Sequence, residues 1–224
     1  MKLIKKITAS PVGSRYINDR AFRGSVSIYQ GTVVSLAFAV FKAVTGILYS
    51  SVWLIATAAY FFLLGAMRAW LAVAYRKKEK RGGLKYERHC YRRIAWLLFI
   101  LNIPMGFVIF LTIKQAAIIN YPWYTIYASA AYTFYMMTLS IINLVKYRKL
   151  GSPVLSAAKV LNFVAAMMSL LGLQDALIIS FAEDNQSTSF RPLMNTLTGA
   201  GIYVIVIITA LYMLLHKEVE KEIE

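Results

Sequence analysis

Four ionisable side chains stand inside long apolar stretches of this sequence: Lys42, Arg68, Lys159 and Asp175. A charge in apolar surroundings is costly. It is kept where it has a partner, lines a polar cavity or reaches an interface. Such groups can hold a counter-charge, relay a proton or gate a solute. Tyr60, Asn162 and Gln174 are the polar side chains that best complement them, and Asn102 and Asn143 can bond between helices. The sets that carry hydrolytic or phosphoryl chemistry are missing: no G-x-S-x-G, no phosphate-cradling glycine loop, no H-E-x-x-H. The chain therefore reads as a non-enzyme with no cofactor.

The elements that position these groups follow from hydropathy. Of 224 residues, 59% are apolar and only 16% charged, against about 25% charged in soluble domains. Six apolar runs are long enough to cross a bilayer as helices, at 27–49, 51–75, 94–115, 122–146, 153–181 and 194–215. No period-2 alternation competes, and a backbone in lipid must satisfy its own hydrogen bonds. The fold class is all-α: a polytopic membrane protein with six transmembrane helices. Residues 27–216 form one membrane domain, flanked by a basic N-terminal segment, 1–26, and a short tail, 217–224. The first span serves as an uncleaved anchor.

The net charge of +15 raises nucleic acid as a partner, but its distribution points elsewhere. Twenty of the 25 Lys and Arg residues lie in the first segment, in Arg76–Arg93, in Lys146–Lys149 and after His216. These alternate loops face one side, so both termini are cytoplasmic and the lipid bilayer is the partner. The plasma (inner) membrane is the expected location. Tyr49, Trp53, Tyr121, Trp123 and Tyr124 form an expected outer aromatic belt, and Trp70, Tyr75, Tyr91 and Trp96 an inner one. Asn185-Gln186-Ser187 is an outer glycosylation sequon. Cys90, the single cysteine, excludes an intrachain disulfide. Pro104, after Asn102, should kink the third span.

Depth then pairs the charges. Lys42 lies about seven residues, ~10 Å, below the outer surface, and Asp175 about six residues below it on the fifth span. Equal depth and opposite sign allow an interhelical pair, with Gln174 and Tyr60 nearby, serving either as a gate or as plain structure. Arg68 and Lys159 are expected to snorkel to the inner surface.

The hairpin from Lys42 to Gly65 carries Lys42, Gly46, Ser51, Leu54 and Ala56, and the fifth span repeats part of it as Ser152, Leu155 and Ala157. This pattern resembles the first two spans of the cation diffusion facilitator family. The resemblance implies a six-span scaffold, a homodimer and a metal site on spans two and five. Carried over, the ligand positions are Tyr60 and Leu64, Leu161 and Ala165, with Thr57 and Ala158 where an acidic residue precedes them. None of these binds zinc, so no metal is expected. The family's cytosolic metal-binding domain has no counterpart after His216.

Two functional readings remain open. One is a metal-free version of that scaffold moving a small solute or organic cation through a cavity lined by Lys42, Tyr60, Asn162, Gln174 and Asp175. The other is a non-transporting accessory or sensor subunit that binds a protein partner through the basic 76–93 loop.

Overall fold

In the computed structural model, residues 20–77, 83–114, 123–146, 152–181 and 187–215 are described, and six helices account for nearly all of them: α1 Arg20–Leu48, α2 Val52–Lys77, α3 Leu84–Lys114, α4 Trp123–Lys146, α5 Pro153–Phe181 and α6 Ser187–Leu215. Each is long and apolar enough to span a membrane. Tyr121, the sequon and the terminal segments, with the side chain of Asn143, lie outside the described residues.

α1 packs chiefly on α2, α3 on α6 and α4 on α5, while α5 touches all five other helices. Sequence explains that central place. α5 is apolar all round and carries Ala157, Ala158, Ala165, Ala166, Ser169, Gly172 and Ala176, all buried. Small residues let helix backbones approach closely, and a helix without a polar face belongs inside.

The α1–α2 hairpin closes in three residues. Ser51 N donates to Gly46 O at 2.9 Å and Ser50 N to Ile47 O at 3.2 Å. This pair of bonds is a Schellman cap, with Ser50 in the left-handed region at φ 48°. Ser51 then caps α2, its Oγ accepting from Leu54 N at 3.4 Å. A Cβ on Gly46 would meet Ile55 Cγ1 at 2.8 Å and Ile55 N at 3.0 Å, so only glycine fits. Of the residues that carry the resemblance in this hairpin, Gly46 and Ser51 thus each have a local task.

Four expectations change. α1 begins at Arg20, not near 27. α3 begins at Leu84, not near 94, so the stretch 84–93 is helical rather than loop. α6 begins at Ser187, not 194, which places Arg191 within a helix. Trp53 is not in an aromatic belt: it is buried, and its Nε1 donates to Thr112 Oγ1 at 2.6 Å. α3 runs through Pro104 as one helix.

Candidate functional site

Two buried polar layers lie at different depths, separated by aromatic rings. The layer nearer the α1–α2 turn is built by α5, α6 and α1. Asp175 is fully buried; its Oδ1 accepts from Arg191 Nε at 2.9 Å and from Asn195 Nδ2 at 2.6 Å, and its Oδ2 from Arg191 Nη2 at 3.4 Å. Arg191 and Asn195 are four residues apart, so one face of α6 presents both. One turn further, Thr198 Oγ1 donates to Gln174 Oε1 at 2.9 Å. Lys42 is buried too, but it makes no ion pair among the described residues. Its Nζ lies 5.4 Å from the Phe38 ring centroid and 5.3 Å from that of Trp53, within range of cation–π attraction. The charge of Asp175 acts on it through space. The expected Lys42–Asp175 pair is therefore replaced: same layer, but Arg191 takes the carboxylate.

Beneath lies the aromatic layer. The rings of Phe38 and Tyr132 stack with centroids 3.8 Å apart and planes 3° apart. Phe61 meets both edge-on, at 5.1 and 5.4 Å. Tyr60 abuts Phe61 but turns away, its hydroxyl donating to Met105 Sδ at 3.6 Å on α3.

The second layer is centred on Arg68, which is 1% exposed rather than snorkelling. Position on the helix explains this. Leu64, Leu71, Ala72 and Tyr75 share its buried face of α2, so the side chain starts inside the bundle. Its Nη1 donates to Gly31 O at 3.0 Å and to Ser35 Oγ, and its Nη2 to Leu161 O at 2.8 Å. Tyr132 reaches the cluster from above, hydroxyl to Ser35 Oγ at 3.1 Å. Gly31 makes room: a Cβ there would lie 3.3 Å from Asn162 Oδ1 and 3.8 Å from Arg68 Nη1. Among the described residues no carboxylate pairs with Arg68; its shell is neutral oxygen only. Lys159 is half-buried near the start of α5.

The five sequence-derived residues thus divide. Lys42, Gln174 and Asp175 share the upper layer, Asn162 joins Arg68 in the lower one, and Tyr60 stands between them facing α3. Ser35, Arg68, Tyr132, Arg191 and Asn195 were not among them. The spacing of Arg191 and Asn195, four residues apart, was the available signal for the last two.

The positions equivalent to metal ligands in the resembling family hold buried Tyr60, Leu64, Leu161 and Ala165, and no group of three or more His, Cys, Asp or Glu among the described residues is placed to hold a metal ion. Comparison with protein-family models, curated proteins and solved structures finds no match to this chain.

Proposed function

We propose that this integral membrane protein is a transporter of a small polar solute, with a path between α1, α2, α4 and α5. The observation that supports it is the sequence of layers: a charged layer at Asp175 and Lys42, an aromatic partition of Phe38, Phe61 and Tyr132, and a second charged layer at Arg68. Ionisable groups deep in a membrane domain mark solute or ion pathways more often than they mark stability. Stacked rings between two such groups form a closed partition that a solute crosses when the helices separate. The basic ends of the helices face the cytoplasm in this reading, and two copies associate. Impermeant labelling of Ser50→Cys in cells tests the first, and light scattering of the purified protein tests the second.

The direct test is reconstitution into liposomes and uptake of a panel of small labelled carboxylates, amines and zinc. Saturable uptake of one class, lost when Asp175 is changed to Asn in a protein that still folds, supports transport. Absence of saturable uptake across the panel overturns it.

The accessory-subunit reading has one observation in its favour. Arg76, Lys77, Lys85, Arg92 and Arg93 are exposed at adjoining ends of α2 and α3, and a helical basic end is a firmer docking surface than a loop. A silent uptake panel would leave this reading standing.

A further inference from the structure

Resting on the transport reading, we infer that Arg68 is the receptor for a small monocarboxylate, held side-on by the edge of its guanidinium. The argument begins with hydrogens. The guanidinium has five N–H groups. Nη1 spends its two on Gly31 O and Ser35 Oγ, and Nη2 spends one on Leu161 O. Nε is buried with no acceptor. Nε and Nη2 flank one edge of the planar group, the edge that a carboxylate engages with two parallel bonds. On α4 the Tyr135 hydroxyl is also buried without a partner, and it lies within electrostatic reach of Arg68. Tyr132 and Tyr135 are three residues apart, so one face of α4 turns both hydroxyls toward the same guanidinium.

Charge fixes the class of ligand. Arg68 supplies the one fully buried positive charge of its layer among the described residues; Lys159, two residues from Leu161 on α5, is only half-buried. Lys42 stands seven residues beyond Ser35 on α1, ~10 Å away along the axis. A monoanion neutralises Arg68. A dianion such as phosphate leaves an excess of negative charge against Arg68 in low dielectric, which is unfavourable. A cation would double the charge already there. The neighbours set the character: Leu139 and Leu161 beside the cluster are apolar, which suits a short alkyl chain.

The test is binding, measured apart from transport. Purified protein in nanodiscs is titrated calorimetrically with acetate and butyrate, and with phosphate, chloride and choline as controls. Expected are saturable binding of both carboxylates and none of choline or phosphate. Tyr135→Phe should weaken carboxylate binding about fivefold, Arg68→Lys at least tenfold, and Arg68→Gln should abolish it. Tyr135→Phe keeps its ring packing, so it reports even where an Arg68 variant does not fold. Unchanged carboxylate affinity in Tyr135→Phe and in either folded Arg68 variant overturns the inference, as does a folded wild type that binds choline or phosphate and no carboxylate. Carboxylate binding without uptake upholds the site and overturns transport. Saturable uptake of an amine with no carboxylate binding does the reverse.

Discussion

Arg191 Nε lies 2.9 Å from Asp175 Oδ1, with the Asp175 side chain 0% and the Arg191 side chain 9% exposed. Two cations thus attend one carboxylate, since Lys42 feels the same charge without touching it. The arrangement makes the partners unequal. Removing Arg191 leaves a carboxylate that Lys42 can still neutralise. Removing the Asp175 charge takes this carboxylate away from two buried cations at once. Breaking a buried pair commonly costs about 3–5 kcal/mol because it strands a charge. We expect Asp175→Asn to lower the melting temperature in detergent more than Arg191→Met. The double variant should be milder than Asp175→Asn alone. Equal losses in the two single variants would show that Lys42 takes no part.

The hairpin offers a stabilising change. Ser50 adopts φ 48°, a conformation that costs an ordinary residue about 1–2 kcal/mol and glycine almost nothing. Ser50→Gly should therefore raise stability by roughly 0.5–1 kcal/mol. Gly46→Ala should do the opposite and by more, because its methyl would press on the Ile55 backbone nitrogen at 3.0 Å. Thermal unfolding of both variants checks the pair. A destabilised Ser50→Gly would mean that the serine side chain has a task beyond the turn.

Hydropathy revealed the six helices because lipid demands long apolar runs, and the observed elements lie within a few residues of the expected spans except at three starts. Those three failed for one reason. Helical hydrogen bonds continue after the apolar run stops, so 20–26, 84–93 and 187–193 are helical without being especially apolar. The error at α6 hid Arg191, which then counted as a loop residue while Asp175 was assigned to Lys42. Equal depth is necessary for a pair, but rotation about each helix axis decides which groups meet. Arg68 was misplaced similarly. Its distance from a helix end suggested snorkelling, whereas its spacing from Leu64 and Leu71 puts it on the buried face. That spacing was readable. The short bonds from Tyr132 to Ser35 and from Arg68 to Leu161 were not, since they join residues 97 and 93 positions apart.

Gly199 and Gly201 sit two residues apart on α6, and a glycine in a membrane helix lets a neighbouring helix approach closely. They differ. A Cβ on Gly199 would lie 2.6 Å from Ile109 Cγ2, whereas one on Gly201 meets nothing within 4 Å. Ile109 is β-branched and stiff in a helix, so it cannot swing clear. Gly199→Ala should push α6 from α3 and cost about 1–3 kcal/mol. Gly201→Ala should be neutral or slightly stabilising, because alanine is favoured over glycine within a helix by about 1 kcal/mol. Paired melting curves decide it. A large loss in Gly201→Ala would point to a contact with a second copy of the chain on that exposed face.

Tyr132 belongs to two layers at once, and its ring and hydroxyl can be tested apart. The ring lies on Phe38 within the aromatic partition, while the hydroxyl bonds Ser35 beside Arg68. Tyr132→Phe keeps the stack and removes only the hydroxyl. It should leave the partition closed and weaken whatever binds beside Arg68, with a modest stability cost of about 1 kcal/mol. Tyr132→Ala removes the ring and leaves a cavity, costing about 3–5 kcal/mol. Liposomes that carry a folded Tyr132→Ala protein should leak small solutes that the wild type retains, and those with Tyr132→Phe should not. If neither variant leaks, the rings are packing between two structural layers. If both leak equally, the contacts of the hydroxyl with Ser35 and Arg68 rather than the stack keep the path shut, because those contacts are all that Tyr132→Phe takes away.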